Sequence, residues 1–94
     1  MFVVVVEFTA RSEHAAAFRE RVQQQAQDSL NLEPECHVFD VCVDPDREEL
    51  VLLYEVYTDR AAFDLHLASN HFKSFDAEVR DWVADKQVST FQRL

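Results

Sequence analysis

The chain has 94 residues, 48% of them hydrophobic, with eight Phe and a formal net charge of −9. This composition supports one folded domain with an apolar core, and we predict that it spans residues 1–94 rather than forming two domains or a disordered chain. The negative charge repels nucleic-acid phosphates and anionic membranes, and no basic stripe offsets it, so we expect neither as a partner.

The N-terminal third predicts one strand and one helix. Residues 2–8 are apolar and mostly β-branched, with Glu7 the one charged residue. This run is too short for a signal peptide or a membrane span and carries no leading positive charge, so it predicts a buried strand. Ser12 can cap a helix whose apolar residues recur at four-residue spacing to about Leu30, and Pro34 ends that helix.

A β-hairpin follows the first helix. Cys36–Val43 and Leu50–Tyr57 are apolar runs separated by the polar turn 44–49. Both strands carry apolar residues on both faces. The helices of one chain can cover only one face of the sheet, so we expect a second copy to cover the other face in a homodimer.

Two short helices and a last strand complete the predicted order. The helices are predicted to end at about Leu67 and about Val83, and residues 86–92 form the last strand. The candidate N-caps are Thr58 or Asp59 for the first of these helices and Ser69 or Asn70 for the second. The order βαββααβ predicts a ferredoxin-like α+β sandwich whose second helix is split.

Composition and spacing exclude three kinds of chemistry. The chain has no glycine, so it has neither a P-loop nor a dinucleotide-binding fingerprint. Cys36 and Cys42 are six residues apart on one predicted strand, roughly 20 Å and too far for a disulfide, which favours a reduced, cytoplasmic protein. His66 and His71 are five residues apart with no evident third ligand, so we expect no metal site.

Glu55, His66 and His71 are the candidate catalytic residues. Glu55 lies in the middle of an apolar strand, where an ionised carboxylate is unfavourable without a partner. His66 follows Phe63 on the buried side of its helix, and His71 lies in the first turn of the next helix. Each could be a structural polar group satisfied by a neighbour. Alternatively, Glu55 orients a histidine that transfers a proton.

Five further residues are candidates for binding a substrate. Asp40 could share a sheet face with the buried glutamate if the strands align. Tyr57 and Trp82 can each donate a hydrogen bond from an aromatic wall. Phe72 and Phe75 belong to a helical stripe that is either core or one wall of a pocket for a small apolar molecule.

The sequence "FDV" at 39–41, the hairpin and "YEVYTDRAAFDLHLASNHFKSF" at 54–75 resemble the antibiotic biosynthesis monooxygenase (ABM) family. The resemblance covers nearly the whole chain. It implies a ferredoxin-like protomer that joins its mate in a dimeric α/β-barrel. It also implies one of several activities: oxidation of quinols or polycyclic phenols without a metal or organic cofactor, heme degradation, or processing of a phosphorylated autoinducer.

Three departures from the family pattern narrow the implied chemistry. Glu35 stands where the family commonly has a glycine, and a positive φ there would strain the backbone by about 1 kcal/mol. The first strand has Glu7 and valines in place of the asparagine of heme-degrading members. Ala26 stands where autoinducer-processing members carry a histidine.

We therefore expect a cofactor-independent monooxygenase acting on a quinol-like or polycyclic phenolic substrate. His71 or His66 would deprotonate the phenol, Glu55 would orient that histidine, and the phenolate would pass an electron to O₂. The alternatives are an isomerase or degradative enzyme for a small polar metabolite, with or without a phosphate, and a non-catalytic ligand-binding dimer. A phosphate would need a cation, and Arg60 and Lys73 are the nearby ones.

Overall fold

A computed structural model describes residues 1–94 as a four-stranded antiparallel sheet with helices packed on one face. The elements in chain order are β1 (Phe2–Ala10), α1 (Ala15–Leu32), β2 (Cys36–Val43), β3 (Leu50–Tyr57), α2 (Arg60–Ala68), α3 (Asn70–Val79) and β4 (Val83–Gln92). The strand order β2-β3-β1-β4 confirms the predicted ferredoxin-like α+β fold. No helix combines the length and the apolar character needed to cross a membrane.

The hairpin strands β2 and β3 have the predicted bounds, whereas the first helix begins differently from the prediction. Ser12 does not cap α1 but opens a single 3-10 turn, Ser12–His14, that has no side-chain cap. Asp59 caps α2 by accepting a hydrogen bond from Ala62 N at 2.9 Å. Ser69 caps α3 in the same way, from Phe72 N at 3.2 Å. The caps thus fix the break between the two short helices.

The third helix is shorter than predicted. α3 ends at Val79, and a 3-10 turn, Arg80–Trp82, leads directly into β4. Trp82 therefore leaves the helical stripe and stacks on His14 instead, with ring centroids 5.7 Å apart. The prediction that Trp82 belongs to the stripe of this helix is wrong, because its ring packs beside the start of α1. Its part in binding a substrate stays a prediction.

The core lies between the helices and one face of the sheet. Alternate residues of β1, from Phe2 to Ala10, belong to one cluster of 17 buried residues. β3 pairs with β1 so that Glu55 lies opposite Val4. Because Val4 points into the core, Glu55 faces the helices as well.

A β-bulge in β2 reverses the face on which Asp40 lies. Cys36 pairs with Tyr57, but the next paired residue is Val38, opposite Val56, so the strand contains one extra residue. One extra residue moves every later side chain to the opposite face. Asp40 is therefore exposed on the face away from the helices. The prediction that Asp40 binds substrate beside Glu55 is wrong.

The edge strand β4 is largely exposed, and the helix-free face of the sheet is mostly exposed or half-buried, although Val3 and Val56 on that face are buried. β4 is ten residues long, and all but its first residue are exposed. Val88 is 51% and Phe91 57% exposed. Glu7 also lies on the helix-free face, opposite Leu52, and is exposed.

The loop before β2 is unstrained. The chain has no residue with positive φ, so Glu35 carries no left-handed strain in place of the family's glycine. The backbone strain expected at Glu35 is therefore absent.

Candidate active site

Glu33 contacts two histidines with a single carboxylate oxygen. Its Oε2 lies 2.8 Å from His66 Nδ1 and 2.7 Å from His71 Nε2. The first contact is an aligned hydrogen bond, whereas the His71 N–H is not directed at the oxygen. We assign a proton to each of these two nitrogens, because an unprotonated ring nitrogen would repel a carboxylate oxygen at these distances. We refer to these three residues as the carboxylate–histidine cluster.

Three helix ends bring the cluster together. Glu33 is the C-cap residue of α1, His66 lies in the last turn of α2, and His71 lies in the first turn of α3. The break at Ser69 places the two histidines on separate helices, with ring centroids 5.9 Å apart. A spacing of five residues therefore does allow both side chains to meet one carboxylate.

His66 is the histidine with a free ring nitrogen. It is 3% exposed and packed among aromatic rings, with the centroid of Phe72 at 5.0 Å and that of Tyr57 at 5.4 Å. Its Nδ1 donates to Glu33, which leaves Nε2 unprotonated in the neutral ring. This is how a carboxylate prepares a histidine to accept a proton.

Both ring nitrogens of His71 lie close to a polar side chain. Its Nε2 lies against Glu33, and its Nδ1 accepts a hydrogen bond from Gln25 Nε2 at 3.2 Å. Its side chain is 12% exposed. We therefore assign His71 a positioning role, in which it holds Glu33 and Gln25 in place.

Glu55 does not pair with either histidine. It is 2% exposed, and its Oε1 accepts a hydrogen bond from Tyr57 Oη at 2.6 Å. Burial raises the pKa of the Glu55 carboxyl, and the Tyr57 hydrogen bond and the nearby His66 only partly oppose that shift. The expectation that Glu55 orients a histidine is wrong, since Glu33 takes that role.

We predict that Glu55→Gln stabilises the protein increasingly as the pH rises above the ordinary range of a glutamate carboxyl. Because the folded-state pKa of this carboxyl is raised, folding favours its protonated form, and stability falls as pH rises from the unfolded to the folded pKa. Gln keeps an acceptor for the Tyr57 hydroxyl and removes the charge. Melting curves from pH 5 to pH 8 are expected to show a difference from wild type that grows with pH. A constant or shrinking difference would contradict the shifted pKa.

The inner side of the sheet and the helices enclose a small cavity of about 40 Å³. Glu55 and His66 both line it, as do Gln25 from α1 and Lys86 from β4. The remaining lining residues are apolar: Val6, Phe8, Phe39, Leu53, Phe63, Leu67, Phe72, Phe75 and Val88. This is a mostly aromatic and aliphatic wall with few polar groups, as in small-molecule sites.

Lys86 supplies the cavity's one cation. Its Nζ lies 5.5 Å from the ring centroid of Phe8 and 5.8 Å from that of Phe72. It forms no salt bridge, although the chain has 18 acidic residues and only nine Lys and Arg. Lys86 is exposed and near enough to Glu55 to oppose the rise in the pKa of that carboxyl, and without a salt bridge it can also pair with an anionic group in the cavity.

The cavity residues include several that the sequence predicted. His66, Glu55, Phe72 and Phe75 line it directly. Tyr57 is fully buried behind Glu55, to which it donates its hydroxyl hydrogen. Glu33, Gln25 and Lys86 were missed. Only the alternation of β4 could have pointed to Lys86, since its neighbours Asp85 and Gln87 face the other way.

Cys36 is not a nucleophile at this site. Burial, with Glu33 and Glu55 nearby, raises the pKa of its thiol to about 12. A thiol in this state is almost wholly protonated at neutral pH and therefore unreactive. Both cysteines are free.

The carboxylate–histidine cluster contains three side chains that could together hold a metal ion. One nitrogen or oxygen from each residue lies within 4.8 Å of the other two, which corrects the expectation that no third ligand is near. Two ligands of one zinc ion lie roughly 3.3 Å apart, given bond lengths of about 2.0–2.2 Å. The contacts of 2.7 and 2.8 Å are instead of hydrogen-bond length. The cluster would have to open to admit an ion.

Comparison with known proteins identifies the family. The model of the "Antibiotic biosynthesis monooxygenase" (ABM) family matches residues 1–78. The chain belongs to the ABM family. This family membership supports a monooxygenase function. Since the ABM match ends at residue 78 while the sheet continues to Gln92, the domain extent of 1–94 stays a prediction.

Solved structures agree with the ABM assignment. A Nitrosomonas europaea protein, provisionally named an antibiotic biosynthesis monooxygenase, is 25% identical to this chain. The two structures align with a TM-score of 0.94 over 100% of this chain and 99% of that chain. PA3566 from Pseudomonas aeruginosa is 22% identical, with a TM-score of 0.90 over 99% of this chain and 93% of that chain. Rv0793 from Mycobacterium tuberculosis is 23% identical, with a TM-score of 0.89 over 99% and 94%. The latter two show the fold alone. Among curated proteins, no sequence matches this chain.

Proposed function

We propose that the protein is a monooxygenase for quinol-like or polycyclic phenolic substrates that uses no metal, flavin or heme. The observation that carries the proposal is the free Nε2 of His66, a histidine that is anchored by Glu33 and lines an aromatic cavity. A base in a water-poor aromatic pocket is what deprotonation of a phenol requires.

The chemistry needs only O₂ as a co-reactant. His66 takes the phenol proton, and the phenolate passes one electron to O₂ to form a substrate radical and superoxide. These recombine through a new C–O bond, and the resulting hydroperoxide loses water. For hydroquinone the products are hydroxyquinone and one water molecule, so one oxygen atom enters the ring and the other leaves as water.

Lys86 complements the base. Deprotonation places a negative charge in an apolar cavity, where it is costly unless a cation is near. The Lys86 ammonium, held between two phenylalanine rings, is the cavity's counter-charge. We assign it the role of binding the phenolate oxygen.

A substrate ring can enter the cavity only if the residues at its outer wall move. A volume of about 40 Å³ is far below the roughly 300–1,000 Å³ of typical ligand sites. Leu67 and Val88 line the cavity yet are 40% and 51% exposed, so no part of the chain packs over them. We propose that these residues at the outer wall yield when a substrate enters.

A phosphorylated metabolite fits the cavity less well. Arg60 lies over the outer side of the Phe2 ring, 5.6 Å from its centroid, and does not line the cavity. Lys73 is exposed and does not line it either. One lysine beside a buried Glu55 is a weak site for a phosphate dianion.

Oxygen uptake by the metal-free protein tests this function. Protein dialysed against a chelator, without added flavin or heme, is expected to consume one O₂ per hydroquinone or naphthol-type substrate oxidised. Added zinc provides the control, because an ion captured by the carboxylate–histidine cluster would block His66 and lower the rate. Turnover that appears only after iron or flavin is added would refute the proposal. Ligand binding without any oxygen uptake would favour the non-catalytic alternative.

We further propose that the protein is a homodimer in a reducing, cytoplasmic compartment. The helix-free sheet face exposes apolar residues such as Tyr54, and the long edge strand exposes Val88 and Phe91. An uncovered sheet face and an unpaired edge of this length favour self-association. The free thiols of Cys36 and Cys42 fit a reducing compartment.

Light scattering tests the dimer. We expect a mass of twice the 11.0 kDa chain at micromolar concentration. Leu52→Asp places a charge on the helix-free face and is expected to shift the protein to the monomer. Ser74→Asp, on the exposed surface of α3, is the matched control and should stay dimeric. A wild-type protein of about 11 kDa would refute the dimer.

A further inference from the structure

Gln25 uses only half of its hydrogen-bonding capacity. It is 1% exposed and lines the cavity. Its Nε2 lies 3.2 Å from His71 Nδ1, while its Oε1 is buried and receives no hydrogen bond from any group of the protein. An acceptor of this kind is uncommon in a folded protein and calls for a donor from elsewhere.

The orientation of the Gln25 amide follows from the carboxylate–histidine cluster. Glu33 Oε2 lies 2.7 Å from His71 Nε2, and we therefore assign the proton of the neutral His71 ring to that nitrogen. In the neutral ring, His71 Nδ1 is then an acceptor and must face the amide NH₂. The carbonyl oxygen is left without a partner, on a side chain that lines the cavity.

We propose that Gln25 Oε1 accepts a hydrogen bond from a hydroxyl of the bound ring, which makes Gln25 a specificity-determining residue. This inference rests on the proposed function, since it takes the cavity as the substrate site. A water molecule can occupy a space of this size and donate to Oε1 in the absence of substrate. A hydroxyl group replaces that donor, whereas a methoxy group offers none and leaves the oxygen unsatisfied.

Gln25 and Lys86 together define a substrate class. Gln25 Oε1 only accepts, so it requires a hydroxyl that keeps its proton. Lys86 only donates, so it favours an oxygen that has lost its proton. Rings with two hydroxyl groups satisfy both residues at once, and we infer that dihydroxyarenes bind better than rings with one hydroxyl.

Anaerobic binding tests the inference without turnover. The dissociation constants of hydroquinone, phenol and 1,4-dimethoxybenzene are measured by calorimetry. Wild type is expected to prefer hydroquinone to dimethoxybenzene by about 10–100-fold, with phenol between them. Gln25→Met keeps the size and shape of the side chain without an acceptor, and is expected to bind hydroquinone and phenol within about threefold of each other, because Lys86 and His66 still recognise one hydroxyl of each.

Two further variants keep the test interpretable. Gln27→Met makes the same change on the exposed side of α1 and should keep the wild-type preference. Gln25→Leu also removes the acceptor and is expected to behave like Gln25→Met. A Gln25→Met protein that folds and still prefers hydroquinone as wild type does would overturn the inference, as would wild type that binds all three compounds alike or binds none. Selective binding without oxygen uptake would instead overturn the proposed function alone.

Discussion

Replacing His66 with phenylalanine is expected to abolish most oxygen uptake while leaving the fold intact. Phe keeps a ring among the aromatic neighbours of His66 and removes Nε2, the free nitrogen that takes the phenol proton. Loss of a general base lowers kcat by about 100-fold or more. The lost hydrogen bond to Glu33 costs about 1 kcal/mol, or about 4–8 °C in melting temperature. Stopped-flow oxygen consumption and melting curves, recorded on the same samples, provide the measurement.

His14→Phe is the matched control for this substitution. It makes the same change at a histidine that stacks on Trp82, away from the cavity, and should leave turnover unchanged. If His66→Phe turned over at the wild-type rate, His66 would be a structural residue and the proposed function would lose its base. A rate that fell only as far as the folded fraction fell would lead to the same conclusion.

Glu33→Gln is expected to lower kcat by about 10–100-fold with little change in KM. The carboxylate holds His66 in the tautomer that leaves Nε2 free, and outer carboxylates of this kind contribute about that much in other histidine sites. Glu33 does not line the cavity, so substrate affinity should change by about threefold or less. Steady-state oxygen uptake over a range of substrate concentrations separates the two constants.

Glu35→Gln is the matched control two residues further along. Glu35 is exposed and accepts a hydrogen bond from the Thr58 hydroxyl, away from both histidines. The kcat and KM of Glu35→Gln should match those of the wild-type protein. An unchanged kcat in Glu33→Gln would show that the carboxylate does not position the base. A large rise in KM with unchanged kcat would mean that Glu33 acts on binding instead.

The strands and the inward position of Glu55 could be predicted because they follow from local pattern. β2 and β3 alternate or run apolar between polar turns, and both have the predicted bounds. Glu55 shares its parity with Leu53 and Tyr57, and all three are buried. Local pattern could not reveal the extra residue at the start of β2. That residue alone moved Asp40 to the exposed face.

The sequence pattern could not show that Glu33 is the carboxylate partner of the histidines. Glu33 lies beside Pro34 at the end of a helix, where a glutamate is usually solvated. Its contact with His66 spans 33 residues and depends on how three helix ends meet. Gln25 was passed over for a related reason, since a glutamine in a polar run gives no sign that it is 1% exposed.

The two histidines were predicted as a pair but with their roles unresolved. Both lie next to buried phenylalanines, and the sequence offers nothing that ranks one above the other. The ranking comes from the surroundings of the rings, because both ring nitrogens of His71 lie against the side chains of Glu33 and Gln25, whereas His66 has only Nδ1 against a polar group. The two histidines lie on separate short helices, which Asp59 and Ser69 cap.

The central claim is that His66 deprotonates a phenol bound in the cavity, and an anaerobic ultraviolet difference spectrum tests it most directly. Without O₂ the reaction stops after proton transfer, so the bound ring reports its own ionisation. Hydroquinone bound to wild type at neutral pH is expected to show phenolate absorption, and hydroquinone bound to His66→Phe the spectrum of the neutral phenol. Neutral phenol on both proteins, or phenolate on both, would contradict the assignment of His66 as the base.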